Sequence, residues 1–174
     1  MLVAMSTTRL RRSGAADLAF VTALERAPEN REQIGQWTEE EHLEAVARRR
    51  GREHWIIERD GEPAGYLIAF DGRARGAGVY VKRILVGDKE RGIGTAALAS
   101  FLDDACGRRG VEFVWLMVRE RNHRAQAVYR KLGFARHDPV PEVAAHWDAT
   151  MDPAGEGVFR MRIEASAWRR SRAR

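Results

Sequence analysis

The chain holds a single cysteine, Cys106, so no disulfide can close within it, and a cytoplasmic setting is expected. No apolar run approaches the roughly 18 residues of a membrane span, and no membrane contact is expected. The opening MLVAMSTTRLRRSG has an apolar region too short for a secretory signal. Met5 is a second candidate start, because patterned sequence begins only after it. Also missing is any G-x-x-x-x-G-K-[ST] run, which excludes the phosphate loop of a nucleoside-triphosphate enzyme. Aromatics do not interleave with arginines as they do in a single-strand-binding groove. Nucleic acid is therefore not expected as the main partner, despite a net charge of +5 and a basic end from Trp168 to Arg174. Internal repeats and linkers are lacking, and no metal site is expected.

What is present reads as an α/β protein with its hairpins ahead of its crossover helices. A short strand at 8–11 precedes a helix at 15–26, where Leu18, Val21 and Leu24 recur at helical spacing and Pro28 marks the stop. Thr38 followed by Glu41 is a capping-box pattern and predicts a helix over 39–49. Glu25, Trp37 and Glu39 read as solvated-face or packing residues. Strands follow at 54–58 and 65–70 around the turn Asp60-Gly61, then at 79–86. Beyond these come a helix at 93–107, a fully buried strand at 111–118, a helix at 124–132 and a closing strand at 158–163. Residues 136–157, with three prolines and little periodicity, read as a loop. This order predicts a mixed sheet and not a doubly wound parallel one.

At the centre lies KRILVGDKERGIGTA, residues 82–96. Gly92 and Gly94 sit where a strand hands over to a helix, whose first turn leaves about four backbone N–H groups unpaired at the positive end of the dipole. Missing side chains let a phosphate approach those donors, and Arg91 adds a charged one. A tight strand-to-helix turn without a ligand uses the same residues. A dinucleotide fingerprint, G-x-G-x-x-A through Ala97 with Glu120 as ribose ligand, fits poorly. About half the chain precedes it, and Glu120 stands 28 residues from Gly92, beyond the usual spacing of about 20.

A second motif, Asn122-His-Arg-Ala125-Gln-Ala-Val-Tyr129-Arg-Lys131-Leu-Gly133-Phe134, follows the buried strand directly. With it the sequence resembles the GNAT superfamily of acetyl-CoA-dependent N-acyltransferases. Its R-x-x-G-x-G/A stretch is matched by Arg91, Gly92, Ile93, Gly94, Thr95 and Ala96, and its N-x-x-A-x-x-x-Y…L-G-F helix by Asn122, Ala125, Tyr129, Leu132, Gly133 and Phe134. The resemblance is strong over 79–134 and extends by element order over 6–163. It implies a single acyltransferase domain there, followed by a basic tail at 164–174. The implied fold is a mixed, mostly antiparallel sheet with flanking helices and splayed fourth and fifth strands.

The resemblance implies an N-acetyltransferase that moves an acetyl group from acetyl-CoA to a primary amine by direct attack, releasing coenzyme A. The alternative is an inactive acyl-CoA-binding or interaction protein on the same fold. Acetyl-CoA would pair with the backbone of Ile84, Leu85 and Val86, and N–H groups of Arg91 to Ala96 would hold its pyrophosphate. Asn122, Ala125, Tyr129 and Lys131 would complete the cofactor site. Tyr129 would protonate the leaving thiolate; packing beside Leu132 is its other reading. Asn122 would cap its helix or bond the pantetheine. Cys106 is a packing residue.

The family's base, a strand glutamate, is replaced here by Tyr80, ahead of Lys82-Arg83-Ile84. Water or another side chain would then accept the amine proton, and Glu41, His42, Glu112 and Glu120 are the available side chains. The acceptor, a small amine or a peptide or protein amino group, would meet residues 28–42 and 136–157, with Trp37 and Trp147 shaping its site. Asp138, Glu142, Asp148 and Asp152 in that second stretch favour a cationic acceptor. A homodimer is compatible with the pattern.

Overall fold

The computed structural model describes residues 7–31, 34–89, 92–151 and 154–173. Strand β1 (Thr8–Arg12) leads through a 3-10 turn into helices α1 (Leu18–Arg26), α2 (Pro28–Arg31) and α3 (Glu39–Val46). Strands β2 (Arg52–Arg59), β3 (Glu62–Asp71) and β4 (Val79–Val86) follow, then α4 (Ile93–Gly107), β5 (Phe113–Arg119) and α5 (His123–Lys131). The chain closes with β6 (Ala135–Arg136), α6 (Pro141–Thr150), β7 (Val158–Glu164) and α7 (Ala165–Arg172). The seven strands form one sheet in the order β1-β2-β3-β4-β5-β7-β6. The β4–β5 pair is parallel, whereas β1–β2, β5–β7 and β6–β7 are antiparallel. This is the mixed α/β sheet expected. The parallel register joins Val79–Val81 to Val114–Leu116, and β4 runs on from there to Val86.

The chain divides into two compact units, 1–68 with 83–100 and 69–82 with 101–174. In the first, the predicted capping box forms at α3. Thr38 Oγ1 accepts from the Glu41 N–H at 3.2 Å, and Glu41 Oε2 accepts from the Thr38 N–H at 2.7 Å. The helix stops at Val46, short of the predicted 49, and Arg48 and Arg50 beyond it take positive φ. Ile93 and Ala97 of α4 pack on Ile57, with Leu10, Ala64, Ile84 and Val86 around them. Gly65 in β3 is required by close approach: a Cβ there would lie 2.3 Å from the Leu85 carbonyl oxygen.

In the second unit, β5 pairs with β7 along its whole length, from Phe113↔Glu164 to Arg119↔Val158. Its side chains are buried on both faces, as predicted from the apolar run. Two expectations are corrected here. Residues 141–150, read as loop, form α6, because Pro141 occupies the first helical turn, where a missing N–H costs nothing. Residues 165–172, read as tail, form α7, whose Trp168 is buried and donates its indole N–H to Asp103 at 3.0 Å. Arg172 binds the same carboxylate, and Arg169 donates to the Cys106 carbonyl at 2.6 Å. Much of the terminal positive charge is thus held in a docked helix. Cys106 itself is buried, and burial pushes its thiol up to about 11, which suits a packing residue.

Candidate functional site

In the first unit the glycine corner stands where it was expected. Gly92 has φ +70 and is followed at once by the first turn of α4, and a Cβ on it would meet nothing within 4 Å. At Gly94 the nearest atoms to an added Cβ are the Val86 methyls at 4.0 Å. The space over the helix start is therefore open. Ala96 already donates its N–H to the Gly92 carbonyl at 3.0 Å, which leaves the N–H groups ahead of it as the donors of the corner. Ile93 is buried, while Thr95 is partly exposed and Ala96 exposed. Arg91 lies outside the described residues. On β4, Ile84 and Val86 are half-buried and Leu85 is buried, alternating as a strand must.

In the second unit, Asn122 caps α5. Its Oδ1 accepts from the Ala125 N–H at 3.1 Å, so the cap role read from sequence is in place. Tyr129 lies one turn further along, 6.0 Å from the Phe134 ring. Burial pushes its phenol up to about 12, so it stays protonated throughout the neutral range. Ala125 is half-buried and Lys131 exposed. A cleft of about 550 Å³ opens beside α5, lined by Glu120, Gln126, Arg130, Phe134, Phe159 and Met161 among others.

The residues proposed to shape an acceptor site separate on inspection. Trp147 is 2% exposed and stacks on Trp115 at 4.6 Å, so it is core. Tyr80, at the position of the family's glutamate, is equally buried and stacks on Trp115 at 4.2 Å. Asp138 and Asp148 are ion-paired to Arg136 and Arg160, which removes most of the supposed pull on a cation. Asp152 lies outside the described residues. Glu41 is occupied as the cap of α3, and Glu112 and Glu120 are exposed.

The structure also shows a buried polar network in the first unit. Glu25, expected on a solvated face, is 2% exposed, because α1 turns it inward against β3 and β4. Its Oε1 accepts from the Tyr66 hydroxyl and from Arg83 Nη1, each at 2.5 Å. His42 Nε2 lies 3.4 Å from Glu25 Oε2, and His42 Nδ1 lies 3.1 Å from His54 Nε2. His54 Nδ1 in turn meets Ser13 Oγ at 2.7 Å. Burial raises the Glu25 pKa, but the contacts of His42 and Tyr66 and the charge of Arg83 outweigh it, and the net shift is downward. His54 is pushed down to about 4, by burial first and then by repulsion from His42. Only His42 among these had been a sequence candidate. Six residues spread over 71 positions of sequence, from Ser13 to Arg83, carry no local pattern that could have announced the network.

A family model described as Acetyltransferase (GNAT) family matches residues 18–134. The mycothiol acetyltransferase of Salinispora tropica is 34% identical over 142 residues, covering 75% of this chain and 45% of that protein. The chain thus spans about half the length of the curated relatives it matches. Among solved structures, a coenzyme A complex of aminoglycoside acetyltransferase AAC(6')-Ib superposes with a TM-score of 0.76 at 20% identity, covering 95% of this chain and 99% of that one. Mutant forms of the spermidine/spermine N-acetyltransferase SpeG from Vibrio cholerae superpose at 0.71 and 18%, covering 96% and 98%. At such identities the likeness is one of fold.

Proposed function

Because the chain belongs to the acetyltransferase (GNAT) family, we propose that it transfers an acetyl group from acetyl-CoA to the primary amine of a small molecule. The observation that carries this reading is the open corner at Gly92–Thr95, a helix start with free approach for a diphosphate. Those N–H groups, with Arg91, hold the pyrophosphate, and the β4 edge at Ile84–Val86 receives the pantetheine arm. When bound, acetyl-CoA supplies an activated thioester. The chain's own residues then act by position and by proton. A β4 backbone N–H polarises the carbonyl as charge develops on its oxygen. Tyr129, protonated at neutral pH, donates its phenolic proton to the departing sulfur. Asn122 fixes the helix that carries Tyr129.

By name, the curated relative is a mycothiol acetyltransferase, and two of the solved neighbours are an aminoglycoside acetyltransferase and a spermidine/spermine N-acetyltransferase. The name of the curated relative supports a small molecule as the acceptor. The test is free-thiol release from acetyl-CoA across a panel of primary amines, together with calorimetry on Gly94→Asp. The carboxylate should occupy the phosphate approach and weaken acetyl-CoA binding about tenfold or more, about 1.4 kcal/mol. Unchanged affinity in a folded variant, or silence of the whole panel, would overturn the reading.

A further inference from the structure

The cleft of about 550 Å³ beside α5 lies wholly within the second unit, between that helix and the β7–β6 edge of the sheet. Its volume is that of a small-molecule site. The floor is apolar: Phe134 and Met161 are buried, and Phe159 is half-buried. Phe159 and Met161 stand two apart on β7 and so share a face of the sheet. Arg136 of β6 pairs with Met161 in register, and its guanidinium lies 4.7 Å over the Phe159 ring. One rim of the cleft is thus a cation stacked on an aromatic.

The α5 wall is built on Gln126, which is 5% exposed. Its Nε2 donates to the carbonyls of Arg119 and Glu120 at 3.1 and 2.8 Å, and its Oε1 accepts from Arg130 Nη2 at 3.0 Å. With both amide hydrogens spent on carbonyls, only the oxygen can face Arg130 one turn on. Gln126 therefore aims Arg130 without neutralising it, as a glutamate in its place would. Among the described residues Arg130 has no carboxylate partner. Arg136 has Asp138 at 3.2 Å, in an exposed pair that contributes little. The Glu120 side chain, also on the lining, has no hydrogen bond or ion pair among the described residues.

We propose that this cleft binds a small monocarboxylate with an aromatic or branched apolar body. The carboxylate meets Arg130, whose fork of donors matches its two oxygens, and then Arg136 in place of Asp138. The body covers Phe134, Phe159 and Met161, removing their apolar surface from water. Glu120 sets the charge of the ligand, because it opposes a second negative charge and so disfavours a dianionic phosphate monoester. A bare anion is disfavoured for a different reason, since it leaves the apolar floor uncovered. The site does not depend on the acetyl-transfer reading, and no residue assigned to acetyl-CoA lines it.

The experiment is calorimetry and nitrogen-15 spectroscopy on the full chain, with 3-phenylpropionate as the probe. It should bind once per chain with a Kd of about 1 mM or below. Phenyl phosphate, 3-phenylpropanamide, which lacks the charge, and acetate, which lacks the body, should each bind about tenfold more weakly or worse. Arg130→Gln should weaken the probe about tenfold or more and Arg136→Gln by less. Arg124→Gln, on the same helix but outside the cleft, should leave its affinity unchanged. Signals of the Gln126 side-chain amide and of Arg130 Nε should shift during the titration, and saturating coenzyme A should not displace the probe. The proposal is overturned by no saturation up to about 10 mM, by equal affinity for acid and amide, or by tighter binding of phenyl phosphate. Unchanged affinity in Arg130→Gln, or displacement by coenzyme A, overturns it as well. Should Arg130→Gln fail to fold, the comparison of acid with amide on wild type, with the location of the shifted signals, decides alone.

Discussion

The two units bury opposite chemistries. The first encloses a carboxylate, a guanidinium, a phenol and two imidazoles, with Glu25 at their centre. The second encloses an aromatic column in which Tyr80, Trp115, Trp147 and Phe113 stack in turn, at 4.2, 4.6 and 5.6 Å. Aromatic surface removed from water stabilises a fold whatever the protonation state. A buried ion pair contributes little net stability, because desolvation cancels most of its attraction, yet removing one partner is costly. A core of the second kind is understandable from packing alone. One of the first kind is not explained by packing alone.

The contrast breaks most visibly at Trp115. Trp115→Ala should cost about 3–5 kcal/mol in urea unfolding, by the same amount near pH 7 and near pH 5. A cost under about 1 kcal/mol would show that the column is not what stabilises its unit.

Acid should expose the other core. His54 titrates at about 4 when folded, against 6.5 for a free imidazole. Its depressed folded value means that the unfolded chain binds the proton first. Stability is therefore fully present above about 6.5 and falls as pH drops toward 4, by about 3 kcal/mol over the window. Glu25, also depressed, loses its contribution only at lower pH, as its carboxylate protonates. Urea midpoints measured between pH 7 and 4 check this, and His54→Gln should flatten the slope. A wild-type midpoint constant across that range would remove the distinction between the cores.

The smallest effect on stability is expected at Tyr129. Tyr129→Phe keeps the ring and should change stability by less than about 1 kcal/mol, while kcat falls about ten- to a hundredfold with acetyl-CoA affinity unchanged. A lowered melting temperature with full kcat would make its hydroxyl structural.

What could be read from the chain was whatever local contact or a contiguous motif encodes. The glycine corner at 92–96, the Asn122 cap, the Thr38–Glu41 box and the buried strand are each written within a few residues, and each formed as read. Local rules also produced the misreadings. Residues 136–157 read as a loop, yet the first turn of α6 accommodates Pro141. Residues 164–174 read as a basic tail, yet α7 docks through Trp168. By itself the sequence determined the family, the mixed sheet and the glycine corner at the start of α4, because backbone geometry and helix capping act over short spans. Only the tertiary structure decided that Glu25 is buried, that Tyr80 and Trp147 are core, and that His42 has Glu25 on one side and His54 on the other. Burial and hydrogen-bond partnership depend on which distant segments the fold brings against a side chain, and no spacing along the chain records that.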